Sequence, residues 1–200
     1  MEKNNIQNLL IDIGRKMVRE KGAEALTVRK LSEASGCSVG AIYNQFANMD
    51  KFTVLLNYVT LSELAEIIGQ GSETSDPFVD LNDVLQKFVD YVCANKNLWY
   101  MLFNFHLTHG RYDYSFQYRR KVNRILRCIR RGLERAVPEM ERPEQLLSSQ
   151  ILWLSLFALS SFLTKDVIDS FSKVDKSSVC QVMVNTFVVG LTVLEKRSVE

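Results

Sequence analysis

Gly22–Phe52 reads GAEALTVRKLSEASGCSVGAIYNQFANMDKF, and its punctuation decides the fold. Thr27 stands just before a periodic run of Val28, Leu31 and Ala34, which are expected to face inward. A threonine there caps a helix, its hydroxyl accepting from a backbone N–H that has no partner within the helix. Gly36 ends that helix after two turns, because glycine takes the left-handed conformation of a helix stop at no steric cost. Ser38 then caps a third short helix carrying Val39, Ile42, Tyr43 and Phe46. Asn48 caps a long fourth helix, along which Phe52, Leu55, Leu56, Val59, Leu64 and Ile67 recur. Upstream, Ile6, Leu9, Leu10, Ile13, Met17 and Val18 give a first helix to about Lys21, with Gly22 as its stop. Two short helices on a Gly36-Cys37-Ser38 turn, held by a longer helix on each side, make a compact helix-turn-helix.

In such a unit the second short helix suits the major groove, which is wide enough for one helix. Its outward residues would be Gly40, Ala41, Asn44 and Gln45. Asn and Gln amides donate and accept together, which matches the edge of adenine. Gly40 and Ala41 let the backbone approach closely. Thr27, at a helix N-terminus, can meet a phosphate through its hydroxyl and the free N–H groups. Tyr43 and Phe46 can also be read as core, and Asn44 and Gln45 as ordinary surface; the frame as a whole favours DNA.

The run from Gly22 to Phe52 resembles the N-terminal domain of the TetR family of bacterial repressors. The resemblance rests on the glycine before the loop, Leu26-Thr27-Val28-Arg29, Leu31, Ala34, Gly36, Ser38-Val39-Gly40, Ile42-Tyr43, Phe46 and Asn48. It implies that Thr27 and Arg29 touch phosphates or bases. It implies that Ser38, Val39, Gly40, Ala41, Asn44 and Gln45 lie on the recognition helix, and that Tyr43 contacts a phosphate. The family usually has a lysine at the start of the fourth helix, where this chain has Met49; Lys51, on the same turn, would substitute. The resemblance further implies a small-molecule pocket and a dimer interface in the remainder of the chain. Residues 1–50 would then be the DNA-binding head, and 51–200 the ligand-binding and dimerisation domain.

That remainder also reads as helical. Gly69–Ser75 is a polar linker, and Asp76-Pro77 caps and opens a helix with Leu81, Val84, Leu85, Phe88, Val89 and Val92 inside. An aromatic helix covers about 98–107, and His109-Gly110 breaks it. A basic amphipathic helix covers about 115–137, Pro138 and Pro143 bracket a turn, and helices follow over about 144–170 and 177–196. Strand alternation is never sustained, so the fold class is all-α: a three-helix DNA-binding head plus a helical bundle, about nine helices. The aromatics Phe88, Tyr100, Phe103, His106, Trp153 and Phe157 are the candidates for a largely apolar pocket. Aromatic residues at helical spacing are more often core. Leu152, Leu156, Leu159 and Leu163, with Val179, Val182, Met183, Phe187 and Leu191, carry more apolar surface than a monomer buries and suit a two-fold four-helix interface.

Composition sets the outer bounds. The 200 residues are 46% hydrophobic and 24% charged, with three prolines and nine glycines, which excludes disorder and a turn-rich β fold. Net charge is only +2, but residues 111–135 hold nine Lys/Arg against Asp113 and Glu134. Such a face is usually solvated or ion-paired, and it leaves an anionic ligand open. Cys37, Cys93, Cys128 and Cys180 have no CxxC spacing, and only His106 and His109 accompany them, so no metal or other cofactor is expected. The N-terminus lacks the apolar run of a secretion signal, which points to a cytoplasmic protein. Gln145–Thr164 has the length of a membrane span and no charge, but eight of its residues are Gln, Ser or Thr, so it reads as a buried central helix. No catalytic constellation appears, Glu63 and Glu66 reading as solvated. The expected function is a dimeric transcription regulator on a near-palindromic operator, with a small-molecule effector. An all-helical enzyme and a membrane-associated regulator are the alternatives.

Overall fold

The computed structural model describes residues 3–71, 74–109, 114–164 and 176–198. Among them are nine α-helices and no strand. In chain order these are α1 (Lys3–Lys21), α2 (Val28–Ser35), α3 (Val39–Phe46), α4 (Met49–Ile68), α5 (Pro77–Ala94), α6 (Lys96–Thr108), α7 (Phe116–Ala136), α8 (Arg142–Thr164) and α9 (Lys176–Ser198). A single 3-10 turn, Ala23–Ala25, joins α1 to α2. The expectation for residues 165–170 as helix, and for the side chain of Leu163, falls outside what is described. Pro143 does not bracket the turn: α8 starts before it, and a proline fits a first helical turn, where its missing N–H is not needed.

The chain's contacts form two compact units, Met1–Ser62 with Asn95–Ser115, and Glu63–Ala94 with Phe116–Glu200. In the first, Leu10 and Val18 of α1, Leu31 of α2, Ile42 and Phe46 of α3, and Phe52 and Leu56 of α4 form one core. Leu98 and Met101 of α6 complete it. Each such side chain removed from water contributes about 1.5–3 kcal/mol. Helices α1 and α4 pack closely because Gly14 has no side chain; a Cβ there would lie 2.8 Å from the Phe52 ring. Arg15, only 5% exposed, crosses the same seam and donates to the Leu56 carbonyl (3.2 Å) and the Thr60 hydroxyl (2.7 Å). The Asn97 amide donates to the Arg19 carbonyl at the end of α1 (2.9 Å). Ala34 does not face inward; it is exposed, and Leu31 carries the buried side of α2.

In the second unit α5 packs on α7, α8 and α9, and α7 packs on α8. Its core includes Leu81, Leu85, Phe88, Ile125, Ile129, Leu133, Leu152, Leu156, Val184 and Val188. The Asp76 carboxylate accepts from the Phe78 N–H (2.9 Å), capping α5 as its sequence indicates. The polar stretch before it is tethered. Thr74 donates through its N–H (2.9 Å) and hydroxyl (2.6 Å) to Asp80, and Arg135 of α7 binds both Asp80 and the Thr74 carbonyl. Glu63 is engaged too, accepting from the Tyr91 hydroxyl at 2.7 Å.

Candidate nucleic-acid interface

Helices α2 and α3 are each held at their start by one side chain. The Thr27 hydroxyl accepts from the Lys30 N–H (3.3 Å), and the Ser38 hydroxyl from the Ala41 N–H (3.2 Å). Between them Gly36 sits at φ 70°, ψ 5°, and its N–H returns to the Ser32 carbonyl at 2.9 Å. A side-chain residue there would be strained. The turn is tied twice more: the Ser32 hydroxyl donates to the Cys37 carbonyl (2.6 Å), and the Cys37 N–H donates to the Ser35 hydroxyl (3.2 Å). The angle between α2 and α3 is therefore set by short-range bonds around a positive-φ glycine.

Ile42 and Phe46 fix the rotation of α3. They are 1% and 4% exposed, and Phe46 meets the Phe52 ring at 4.5 Å between centroids. The opposite face must then point to solvent. Ser38, Val39, Gly40, Tyr43 and Asn44 are exposed, with Ala41 and Gln45 at the margins. Tyr43 is 42% exposed, which separates it from the buried Phe46. Thr27 and Arg29 are exposed at the start of α2. Asn48 caps α4 by accepting from the Lys51 N–H (2.8 Å), and Lys51 is exposed in that first turn. Met49 instead packs against the core. The arrangement is a ridge of hydroxyl, amide and small residues, flanked by cations and by two helix N-termini, and it suits hydrogen bonding to base edges and phosphates.

The aromatic candidates divide into two groups. Phe88, Trp153 and Phe157 belong to the second unit, where Trp153 meets Phe88 edge-on at 5.7 Å and Phe157 at 5.5 Å. Phe88 is fully buried. Tyr100, Phe103 and His106 belong to the first unit and are half-buried. His106 stacks on Tyr114 at 5.1 Å, its Nδ1 is 2.8 Å from the Leu102 carbonyl, and burial holds its pKa below the ordinary histidine value. Phe105 stacks on His109 at 4.2 Å. The Thr74–Asp80–Arg135 cluster has no signal in local sequence pattern, whereas a groove in the second unit lined by arginines of α7 draws on the basic stretch 111–135. No helix among the described residues is long and apolar enough to cross a membrane.

Residues 10–53 match the family described as bacterial regulatory proteins, tetR family. No curated protein matches the chain. Solved structures share the fold at low identity. A tetR-family regulator from Streptomyces coelicolor is 12% identical, with a TM-score of 0.72 over 98% of this chain and 85% of that one. The TetR family regulator PfmR from Thermus thermophilus is 18% identical, with a TM-score of 0.64 over 90% and 96%. FadR from Bacillus subtilis, solved in complex with stearoyl-CoA, is 18% identical, with a TM-score of 0.63 over 92% and 98%.

Proposed function

Because residues 10–53 match the family described as bacterial regulatory proteins, tetR family, we propose that this chain is a dimeric repressor released from a near-palindromic operator by a small, largely hydrophobic ligand. Residues 1–50 read double-stranded DNA, and 51–200 hold the ligand and the dimer interface. The observation that carries the reading is the exposed ridge of α3. Ser38, Gly40, Tyr43 and Asn44 are exposed away from the buried Ile42 and Phe46, with Ala41 and Gln45 half-buried at the margins, so the helix can enter a groove without losing its own packing. In this reading Asn44 and Gln45 read bases beside Val39. Thr27, Arg29, Tyr43 and Lys51 bind phosphates, Lys51 serving where Met49 has turned into the core.

Dimerisation is supported by apolar stripes that the chain leaves in water. Leu147, Ile151 and Leu154 are exposed along α8, and Val182, Val189 and Val193 along α9. They recur at helical spacing, as two copies of a helix pair around a two-fold axis require. Leu152 and Leu156, which the sequence nominates for that role, are fully buried within the chain instead. An apolar ligand is supported by the ring cluster of Phe88, Trp153 and Phe157 within the second unit. The stearoyl-CoA bound by Bacillus subtilis FadR supports an effector with a long apolar part. Such a ligand acts only through unequal affinity for DNA-competent and DNA-released states.

The test is a mobility-shift titration on the upstream region of the chain's own gene. A sequence-dependent, salt-sensitive shift is expected. Asn44→Ala should relax discrimination at one base pair by about 1–3 kcal/mol. Tyr43→Ala should weaken binding on all sequences, because a phosphate contact carries no base information. No shift at any salt concentration would exclude the reading.

A further inference from the structure

We propose that the groove between α7 and α8 binds a phosphate monoester carrying a short apolar chain. The groove has a volume of about 410 Å³, which lies within the range of roughly 300–1,000 Å³ common for small-molecule sites. Arg120, Asn123, Arg127 and Arg130 line it from α7, and Leu146 and Gln150 from α8. None of the six aromatic candidates lines it, so it goes beyond the effector reading above.

Charge selects the ligand. Arg130 is matched by Glu134, Nε to Oε1 at 3.1 Å. Arg120 and Arg127 have no carboxylate among the described residues. Arg120 lies over the Phe116 ring at 5.9 Å, and Arg127 donates to the Asn123 carbonyl of its own helix at 3.4 Å. Among the described residues, the groove thus holds two guanidinium groups without a carboxylate partner. They stand seven residues apart, which is two turns on one helix face, about 10 Å along the axis. Asn123 lies between them, with Arg127 already reaching back to its carbonyl and Arg120 resting on the Phe116 ring one turn before the groove. A carboxylate brings one charge. A phosphate monoester brings about −1.5 to −2 at neutral pH and three acceptor oxygens, enough for two planar donor forks at once. Leu146, 42% exposed at the edge of the groove, offers apolar surface for a chain attached to that phosphate.

The experiment is calorimetric titration of the full chain, without DNA, at fixed ionic strength, so its outcome is separate from that of the operator-binding test. The probes are hexyl phosphate, hexanoate, inorganic phosphate and sonicated phosphatidylglycerol vesicles. Hexyl phosphate is expected to saturate at one per chain. Inorganic phosphate should compete for the same site. Hexanoate should bind about tenfold more weakly or worse, and Arg120→Gln with Arg127→Gln should cost about tenfold or more for hexyl phosphate. Arg119→Gln removes the same charge from an exposed position outside the groove and should leave binding unchanged. Circular dichroism of each variant checks folding, and the single variants stand in if the double variant is unfolded. The proposal is overturned by absent saturation, by hexanoate binding as tightly, by equal loss in Arg119→Gln, or by binding to vesicles alone.

Discussion

Ala47 holds the sharpest backbone in the first unit, at φ 66°, ψ −44° between α3 and α4. The Asn48 N–H donates back to the Phe46 carbonyl at 2.8 Å, a three-residue turn of the strained kind. A Cβ in that region is disfavoured, and glycine removes it while adding some unfolded-state entropy. Ala47→Gly is therefore expected to stabilise the chain by about 0.5–1 kcal/mol in denaturant melts; a loss of stability would show that the turn is unstrained. Asn57 is a second residue at odds with its surroundings. It is fully buried, and both amide heteroatoms lack partners among the described residues. A buried polar group without partners costs about 1–3 kcal/mol, so Asn57→Leu should raise the melting temperature if the larger side chain fits. Neither position is legible in the sequence, since alanine carries no turn signal and an asparagine inside a helical pattern reads as surface. Thr27, Ser38, Asn48 and Asp76 are legible as caps, because a cap bond joins residues two or three apart and depends on little else.

The helices themselves follow from periodicity: the expected start of α5 matches, and the expected ends of α6, α7 and α9 lie within two residues of those found. What periodicity leaves open is how the connections are tied. Gly69–Ser75 has the composition of a free linker, yet Thr74 is fastened to Asp80, and Arg135 reaches Asp80 from 55 residues along the chain and Thr74 from 61. No local pattern carries a pairing at that separation. The Asp80 pKa is held below the usual carboxylate range, first by the Thr74 hydroxyl and then by the Thr74 N–H and Arg135, against some desolvation. A carboxylate with a lowered folded-state pKa contributes stability above its unfolded value, near 4, and loses it as pH falls through the folded value. Thermal melts should show the wild type losing stability below about pH 4. Asp80→Asn should lower the melting temperature at neutral pH and flatten that acid limb; an unchanged acid limb would mean that Asp80 is not the group titrating.

At the scale of the molecule, the exposed stripes on α8 and α9 predict the assembly. If the chain dimerises as proposed, Ile151→Asp with Leu154→Asp should give a monomer in sedimentation velocity, and the proposed operator affinity should fall with loss of the second α3. A dimer that persists would move the interface elsewhere. The sequence by itself determined the helical class and the helix-turn-helix with its caps and its outward Gly40 and Asn44. Those depend on contacts a few residues apart and on a sharp alternation of buried and polar positions. It could not decide which side of α8 meets the chain's own core. That helix is apolar almost all round, so Leu152 and Leu156 cannot be told from Ile151 and Leu154 by spacing; only packing against α5 and α7 chose between them. The same holds for α6, whose Leu98 and Met101 join the core of the first unit although they lie some 30 residues past α4. It holds again for the arginines of α7. Whether a guanidinium is paired, as in Arg130 and Arg135, or left facing a groove, as in Arg120 and Arg127, depends on which neighbours the tertiary fold brings within reach.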